Sequence, residues 1–164
     1  MAKKQGIVLT IAILAAITAA SFIIWFIPQN EDSSFVISDF ESHLESIQER
    51  QKIIDEEIET DFQEMQAGTV TPDDFMMRAK ASTSQINALI IELVESKAPT
   101  EWHESYLNYG ESLKSYNNYL LETIVIADKI KEGNTDEIKG NLERISALKK
   151  ESESFALKSD ETKP

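Results

Sequence analysis

The stretch ISDFESHLESIQERQKIIDEEIETDFQEM, residues 37–65, decides the fold, because its apolar residues recur at alternating steps of three and four. That period places them along one side of an α-helix and the intervening charges on the other side. A strict seven-residue repeat would put Asp61 on the apolar seam, but the 3.6-residue period drifts and brings Phe62 there instead. The seam consists of Ile37, Phe40, Leu44, Ile47, Gln51, Ile54, Ile58, Phe62 and Met65. The pattern predicts a helix over residues 35–67, in which the polar Gln51 either fixes register or reaches solvent.

Three downstream stretches show the same helical period and predict helices over residues 72–97, 100–132 and 135–157. No stretch alternates apolar and polar residues as a strand would. The apolar positions of the second helix are Phe75, Ala79, Ser82, Ile86, Leu89 and Leu93, with Ile90 and Val94 alongside. Those of the third are Trp102, Tyr106, Tyr109, Leu113, Tyr116, Leu120, Ile124, Ala127 and Ile130, widened by Leu121 and Val125. Those of the fourth are Ile138, Leu142, Ile145, Leu148 and Phe155.

Turn-forming residues separate the predicted helices. Gly68 suits the left-handed position after a helix C-terminus, and Thr71 suits the N-cap of a helix that starts at Pro72. Ala98 or Thr100 is expected to cap the third helix. Because every connection is only a few residues long, consecutive helices should be antiparallel neighbours.

The predicted fold is therefore all-α, an antiparallel up-down-up-down four-helix bundle over residues 35–158. A disordered polar tail is expected at residues 159–164. The alternative is a set of extended helical hairpins, or a coiled coil, that completes its core by dimerisation.

An uncharged run precedes the bundle, IVLTIAILAAITAASFIIWFI, residues 7–27. As a helix this run is about as long as the roughly 30 Å hydrocarbon core of a bilayer, so it predicts a single transmembrane anchor. Lysines before the run favour a cytoplasmic N-terminus, residues 1–6, and a tryptophan near its end suits the interface. The residues predicted to define the anchor are Lys3, Lys4, Ile7, Trp25 and Ile27. After a linker, residues 28–34, the bundle is expected to be extracytoplasmic.

The alternative interpretation of this run is a cleaved signal peptide. The small residues Thr18, Ala19 and Ala20 form a weak cleavage site. Apolar cores of signal peptides span roughly 7–15 residues, however, and here six further apolar residues, Phe22–Ile27, follow the candidate site. The length of the run favours an uncleaved anchor in the cell membrane.

The charge of the chain restricts its partners. The 164 residues carry a formal charge of −13, and no acidic residue occurs before residue 31. The part after the anchor thus has 14 basic against 29 acidic residues, a net charge of −15. A field of that sign repels nucleic-acid phosphates and anionic lipid headgroups, so we expect no nucleic-acid partner.

Motifs for catalysis or cofactor binding are missing from the sequence. Without cysteine the chain has no disulfide, no thiolate metal site and no cysteine nucleophile. Its two histidines, His43 and His103, lack the acidic residue three positions earlier that di-metal bundles use. No phosphate loop and no serine elbow is present. We therefore expect no cofactor, no metal site and no enzymatic activity.

All four tyrosines lie on the third predicted helix, near a tryptophan and a histidine. Aromatic side chains at this spacing usually belong to a core, with their hydroxyls at its boundary. The alternative is a ligand pocket or a surface for a partner. The candidate residues for such a site are Trp102, His103, Tyr106, Tyr109 and Tyr116.

These features predict a structural or protein-interaction module of the cell envelope, such as an accessory subunit of a membrane complex. Its expected partners are the lipid bilayer, through residues 7–27, and another protein or further copies of the chain. The alternative is a four-helix ligand-binding sensory domain. Residues 1–6 are too few for an output module, so such a sensor would need a partner in the membrane.

Overall fold

A computed structural model of the chain describes residues 37–134 and 138–164. These residues form four helices and no strand, so the predicted all-α class and the four-helix bundle are confirmed. The helices are α1 (Phe40–Gln66), α2 (Pro72–Glu95), α3 (His103–Glu132) and α4 (Ile138–Glu161). The predicted membrane helix, residues 7–27, and its linker, residues 28–34, lie outside the described residues. None of the four helices is long and apolar enough to cross a bilayer.

The ends of α1 and α2 follow from local capping. The carboxylate of Asp39 accepts a hydrogen bond from the Ser42 amide at 3.0 Å, so α1 begins at Phe40 and the predicted helix over residues 37–39 is wrong. The Ser42 hydroxyl also donates to this carboxylate. The hydroxyl bond and, to a smaller extent, the amide bond lower the pKa of Asp39 below its ordinary value. Gly68 follows α1 with a φ of 78°, and Thr71 caps α2, both as predicted.

The start of α3 differs from the prediction. Neither Ala98 nor Thr100 caps it, because the N-cap position is Trp102, which makes no side-chain cap bond. The chain leaves α2 at Lys97 with a φ of 49°, in the left-handed region that only a few per cent of non-glycine residues occupy. At its other end α3 stops at Gly133, whose φ of 77° closes the helix.

The end of α4 corrects the prediction of a disordered tail from residue 159. The helix continues to Glu161, and Ser159 is fully buried against α3. Its carbonyl accepts a hydrogen bond from Ser105 at 2.8 Å. A polar composition suggested a solvated tail, but a serine can be buried when a neighbouring helix supplies its hydrogen bonds.

Side-chain pairs show that sequential helices run antiparallel. Between α1 and α2, Phe62 packs on Phe75 with ring centroids 5.5 Å apart, and Arg50 binds Glu92 at 2.7 Å. The pairs that orient the other helices are Asp73–Lys131, Asn87–Asn117, Ser105–Ser159, Lys129–Asn141 and Gln48–Asp160. They place α3 antiparallel to α2, and α4 antiparallel to both α3 and α1.

The core contains most of the predicted seams. All six buried residues of α1 and all six of α2 are seam positions predicted from the sequence. Four predicted apolar-face residues are instead exposed, namely Val94, Leu121, Val125 and Leu142. Val94, Leu121 and Val125 lie at the edges of their apolar stripes, where the neighbouring helix does not reach, whereas Leu142 lies on the predicted stripe itself and is 36% exposed.

Serines form a polar ladder where α3 meets α4. Ser105 and Ser112 on α3 face Ser159 and Ser152 on α4, one heptad apart, and none is more than 4% exposed. Ser112 and Ser152 share a hydrogen bond of 3.1 Å, and Ser152 also donates to the Ser112 carbonyl at 3.0 Å. A serine hydroxyl is short, so a bond from it to the facing backbone requires the two helices to pack closely.

We expect Ile54→Asp to unfold the bundle, while the adjacent Ile53→Asp leaves it folded. Ile54 is 6% exposed and Ile53 is 51% exposed. The first change should cost at least the roughly 2–5 kcal/mol of an isoleucine-to-alanine truncation, because it buries a charge without a partner. The second should stay within about 0.5 kcal/mol. Thermal melting followed by circular dichroism measures both, and equal melting temperatures would contradict the core assignment.

Substitutions at the ladder should separate lost hydrogen bonding from overpacking. Ser112→Ala should lower the free energy of unfolding by about 0.5–1.5 kcal/mol. Ser112→Leu should lower it by about 1–3 kcal/mol or more, because the added volume forces α3 and α4 apart. The control is Ser146→Leu on the exposed side of α4. If Ser112→Leu were as stable as this control in urea unfolding, close packing at the ladder would be refuted.

Candidate functional site

The aromatic residues of α3 lie mostly in the core. Tyr106, Tyr109, Tyr116 and Tyr119 are each 2–4% exposed. Tyr109 donates a hydrogen bond to Gln51, the polar seam residue of α1. The hydroxyl of Tyr116 has no hydrogen-bond partner among the described residues. All four tyrosines therefore pack in the interior, and Tyr106 also lines a cavity that opens to the surface.

A histidine joins three helices next to Tyr106. The Tyr106 hydroxyl donates to the Phe40 carbonyl at 2.8 Å and lies 2.9 Å from Nδ1 of His43. Because the hydroxyl proton is committed to Phe40, Nδ1 of His43 is the donor in the second bond. Its Nε2 then faces Oε1 of Glu92 at 3.3 Å, and the same oxygen binds Arg50. This cluster ties α1 to α2 and α3 and leaves His43 only 10% exposed.

A second charged cluster joins α1 to α3 and α4. Lys149 Nζ lies 2.7 Å from Oε2 of Glu59 and 3.3 Å from Oδ1 of Asp55, the latter an ion pair without hydrogen-bond geometry. Burial lowers the pKa of Lys149, but its hydrogen bond to Glu59 and the two carboxylates outweigh this and raise it. Burial raises the pKa of the adjacent Tyr119 to about 12. The cluster is held together by charge and serves the packing of α4.

Metal-ligating side chains do not converge in the described part of the chain. No three histidine, aspartate or glutamate side chains there are placed to hold one ion. His43 is hydrogen-bonded to Tyr106, and its Nε2 lies 3.3 Å from Glu92 without a hydrogen bond, whereas His103 is exposed at the start of α3.

A largely apolar groove between α2 and α3 is lined by two of the predicted site residues, His103 and Tyr106. It encloses about 260 Å³. Its walls include Ile90, Leu93, Val94, Lys97, Ala98, His103, Tyr106, Leu107, Gly110, Glu111 and Lys114. We call these residues the α2–α3 groove. Two of them are large apolar side chains in contact with solvent, since Val94 is 72% and Leu107 is 56% exposed.

The floor of the groove is formed where Gly110 passes Leu93. A Cβ atom at Gly110 would lie 3.5 Å from Cδ2 of Leu93, which is an ordinary contact. The glycine is therefore not required by close packing, and its missing side chain widens the groove.

The rim of the groove carries basic groups in an acidic chain. Lys97, His103 and Lys114 stand around the apolar walls, and Lys114 pairs with Glu111 at 2.7 Å. The helix α1, by comparison, contains nine acidic and only two basic residues. The groove thus combines exposed apolar surface with a rim that suits an anionic group.

The structure brings part of the predicted site together. His103 and Tyr106 line the groove, and Trp102 packs edge-on against Tyr106 with centroids 6.3 Å apart. Tyr109 and Tyr116 lie away from it, in the core. Leu107 and Lys97, which also line the groove, were not predicted from the sequence, and Val94 was predicted on the apolar face of its helix and not in solvent. The available signal was that Leu107 is a large apolar residue outside the helical seam.

Comparisons with known proteins return no relatives for this chain. No protein-family model matches it, and neither the curated proteins nor the solved structures contain a match. The function has to be inferred from the groove and from the charge distribution.

The buried tyrosines should make the bundle unfold in alkali. Burial raises the pKa of all four above the ordinary value of 10, so full stability is present below pH 10 and is lost as the pH rises towards 12. Absorbance at 295 nm should report tyrosinate formation together with loss of helical circular dichroism. The control titration, in denaturant, should show all four tyrosines near pH 10. A folded protein titrating there without losing helicity would contradict their burial.

Proposed function

We propose that this protein is a membrane-anchored, extracytoplasmic interaction module of the cell envelope. In this proposal the α2–α3 groove receives an apolar side chain of a protein partner. The observation that carries it is the exposure of Val94 and Leu107 on either side of the groove, because large apolar side chains in solvent mark interaction sites when they surround a concavity.

The charge distribution supports this choice of surface. The solvent-facing side of α1 is densely acidic, whereas α2 has four acidic and two basic residues, and α3 has five and three. A partner approaching α2 and α3 meets less like-charge repulsion and less charge to desolvate. The basic rim at Lys97 and Lys114 favours a partner whose apolar anchor is flanked by an acidic residue.

The proposed location rests on the amino-acid sequence. The run over residues 7–27 would anchor the chain in the lipid bilayer, and Lys3 and Lys4 would keep residues 1–6 in the cytoplasm. The acidic bundle would then stand outside the membrane, as an accessory subunit of a membrane complex or as an envelope module. We assign it no enzymatic role and no cofactor.

A ligand-binding sensory domain is the second candidate, and the groove itself favours it. The enclosed volume of about 260 Å³ lies just below the roughly 300–1,000 Å³ typical of small-molecule sites. His103 would supply a polar contact to such a ligand, since the Tyr106 hydroxyl is already bonded to Phe40 and His43. The openness of the site to solvent at Val94 and Leu107 favours a protein partner over an enclosed small molecule.

A photoreactive amino acid in place of Leu107 tests the interaction function in native membranes. We expect it to crosslink to a discrete protein partner. The matched control is the same amino acid in place of Glu104, one turn earlier on α3 and exposed but outside the groove. Val94→Glu should abolish the Leu107 adduct without unfolding the bundle. Equal adducts from both positions, or none from either, would overturn the proposal.

Protease added to intact spheroplasts tests the proposed location. The C-terminal part of the chain should be digested, because it lies outside the membrane, while a cytoplasmic marker survives. Mass spectrometry of the mature N-terminus should find residues before Ala20 still present. A protected bundle, or a chain that begins after Ala20, would refute the anchored topology.

A further inference from the structure

The solvent face of α2 carries a second regular stripe, opposite the one it buries. Its members recur at steps of four and three, the spacing of a coiled-coil seam, and all are exposed. They are Met77, Ala81, Ser84, Ala88 and Ile91. The buried stripe of α2 already fills the bundle core, and the exposed stripe remains in solvent, although Ala88 and Ile91 also border shallow concavities beside α1.

The middle of α2 is free of charge. From Ala81 to Ile91 the helix has no charged residue, although charged residues make up 27% of the chain. Eleven residues make about three turns of helix, so no side of α2 carries a charge over that length. A solvated helix in this chain does not need such a stretch, whereas a helix that packs against another helix does.

The charges on either side of this stretch have opposite signs. Arg78 and Lys80 precede it, and Glu92 and Glu95 follow it. Two copies of α2 placed antiparallel would therefore set the basic end of each against the acidic end of the other. Such a surface is complementary to itself, as a twofold contact requires.

We propose that two copies of this chain associate through the exposed stripe of α2, packed antiparallel about a twofold axis near residue 86. In that register Ser84 faces Ala88 and Ala81 faces Ile91 of the second copy, and the turn with Arg78 and Lys80 lies against the turn with Glu92 and Glu95. The proposal deepens the interaction function proposed above, since it names a second copy of the chain as one partner.

Side-chain size and charge both favour the antiparallel arrangement. Ala81, Ser84 and Ala88 are small and allow two helices to approach closely at the centre of the stripe. A parallel pair would place Glu95 against itself at the end of the stripe, and like charges there oppose association.

Two of the four charges beside the uncharged stretch are available for the contact. Arg78 binds Asp61 and Glu92 binds Arg50 within the chain. Lys80 and Glu95 form no ion pair among the described residues, and both are exposed. They can be replaced without breaking an observed contact.

Engineered cysteines test the arrangement, because the chain has none of its own. Full-length Ala81→Cys and Ile91→Cys chains are prepared separately in detergent and then mixed and oxidised. The mixture should form a disulfide between the two variants. Neither variant alone should form one, since residue 81 of one copy lies about ten residues, or roughly 15 Å, from residue 81 of the other.

Charge reversal shows whether the crosslink reports this register. Lys80→Glu in the Ala81→Cys chain should abolish most of the mixed disulfide, and Glu95→Lys in the Ile91→Cys chain should restore it. Circular dichroism checks that each variant is folded. Disulfides formed by either variant alone, or no mixed disulfide between folded chains, would overturn the proposal. A Leu107 adduct to a different protein would still support the interaction function if this self-association failed.

Discussion

The burial of α3 against all three other helices is the constraint on which the structure depends. Its tyrosines supply both apolar area and hydroxyls, and these hydroxyls reach α1 at Phe40, His43 and Gln51. On its other side the same helix approaches α4 through the serine ladder. Since α3 is enclosed in this way, α2 and α4 are positioned by what they bury against it, whereas α1 packs mainly on α2.

This arrangement divides the surface of the bundle. Acidic residues concentrate on α1, and α4 balances five acidic with five basic residues. Exposed apolar side chains are most frequent on α2 and α3, at the groove and along the outer stripe of α2, although Ile53 on α1 and Leu157 on α4 are exposed as well. Both proposals of partner binding derive from this division, because apolar surface with little surrounding charge is the least costly to remove from water.

Periodicity predicted the helices and most of the core, because each buried residue of α1 and α2 lies on the face that a 3.6-residue repeat selects. The capping roles of Gly68 and Thr71 were also predicted from the sequence. The helical structure of the tail from residue 159 was not predicted, because the burial of Ser159 depends on a hydrogen bond to a residue 54 positions away. Of the candidate site residues, His103 and Tyr106 line the groove, whereas Tyr109 and Tyr116 turn into the core.

The amino-acid sequence by itself determined that the chain forms amphipathic helices and where these helices end, since both depend on neighbours within a few residues. It also determined the strongly negative net charge, which is a property of composition alone. Only the tertiary structure decided which edge residues remain in water. Val94 and Leu107 are large apolar residues of the kind usually found in a core. They stay exposed because no helix of the described chain packs over that side of α2 and α3. A periodic pattern identifies the apolar face of a helix. How much of that face is buried depends on the distance and angle of the neighbouring helices.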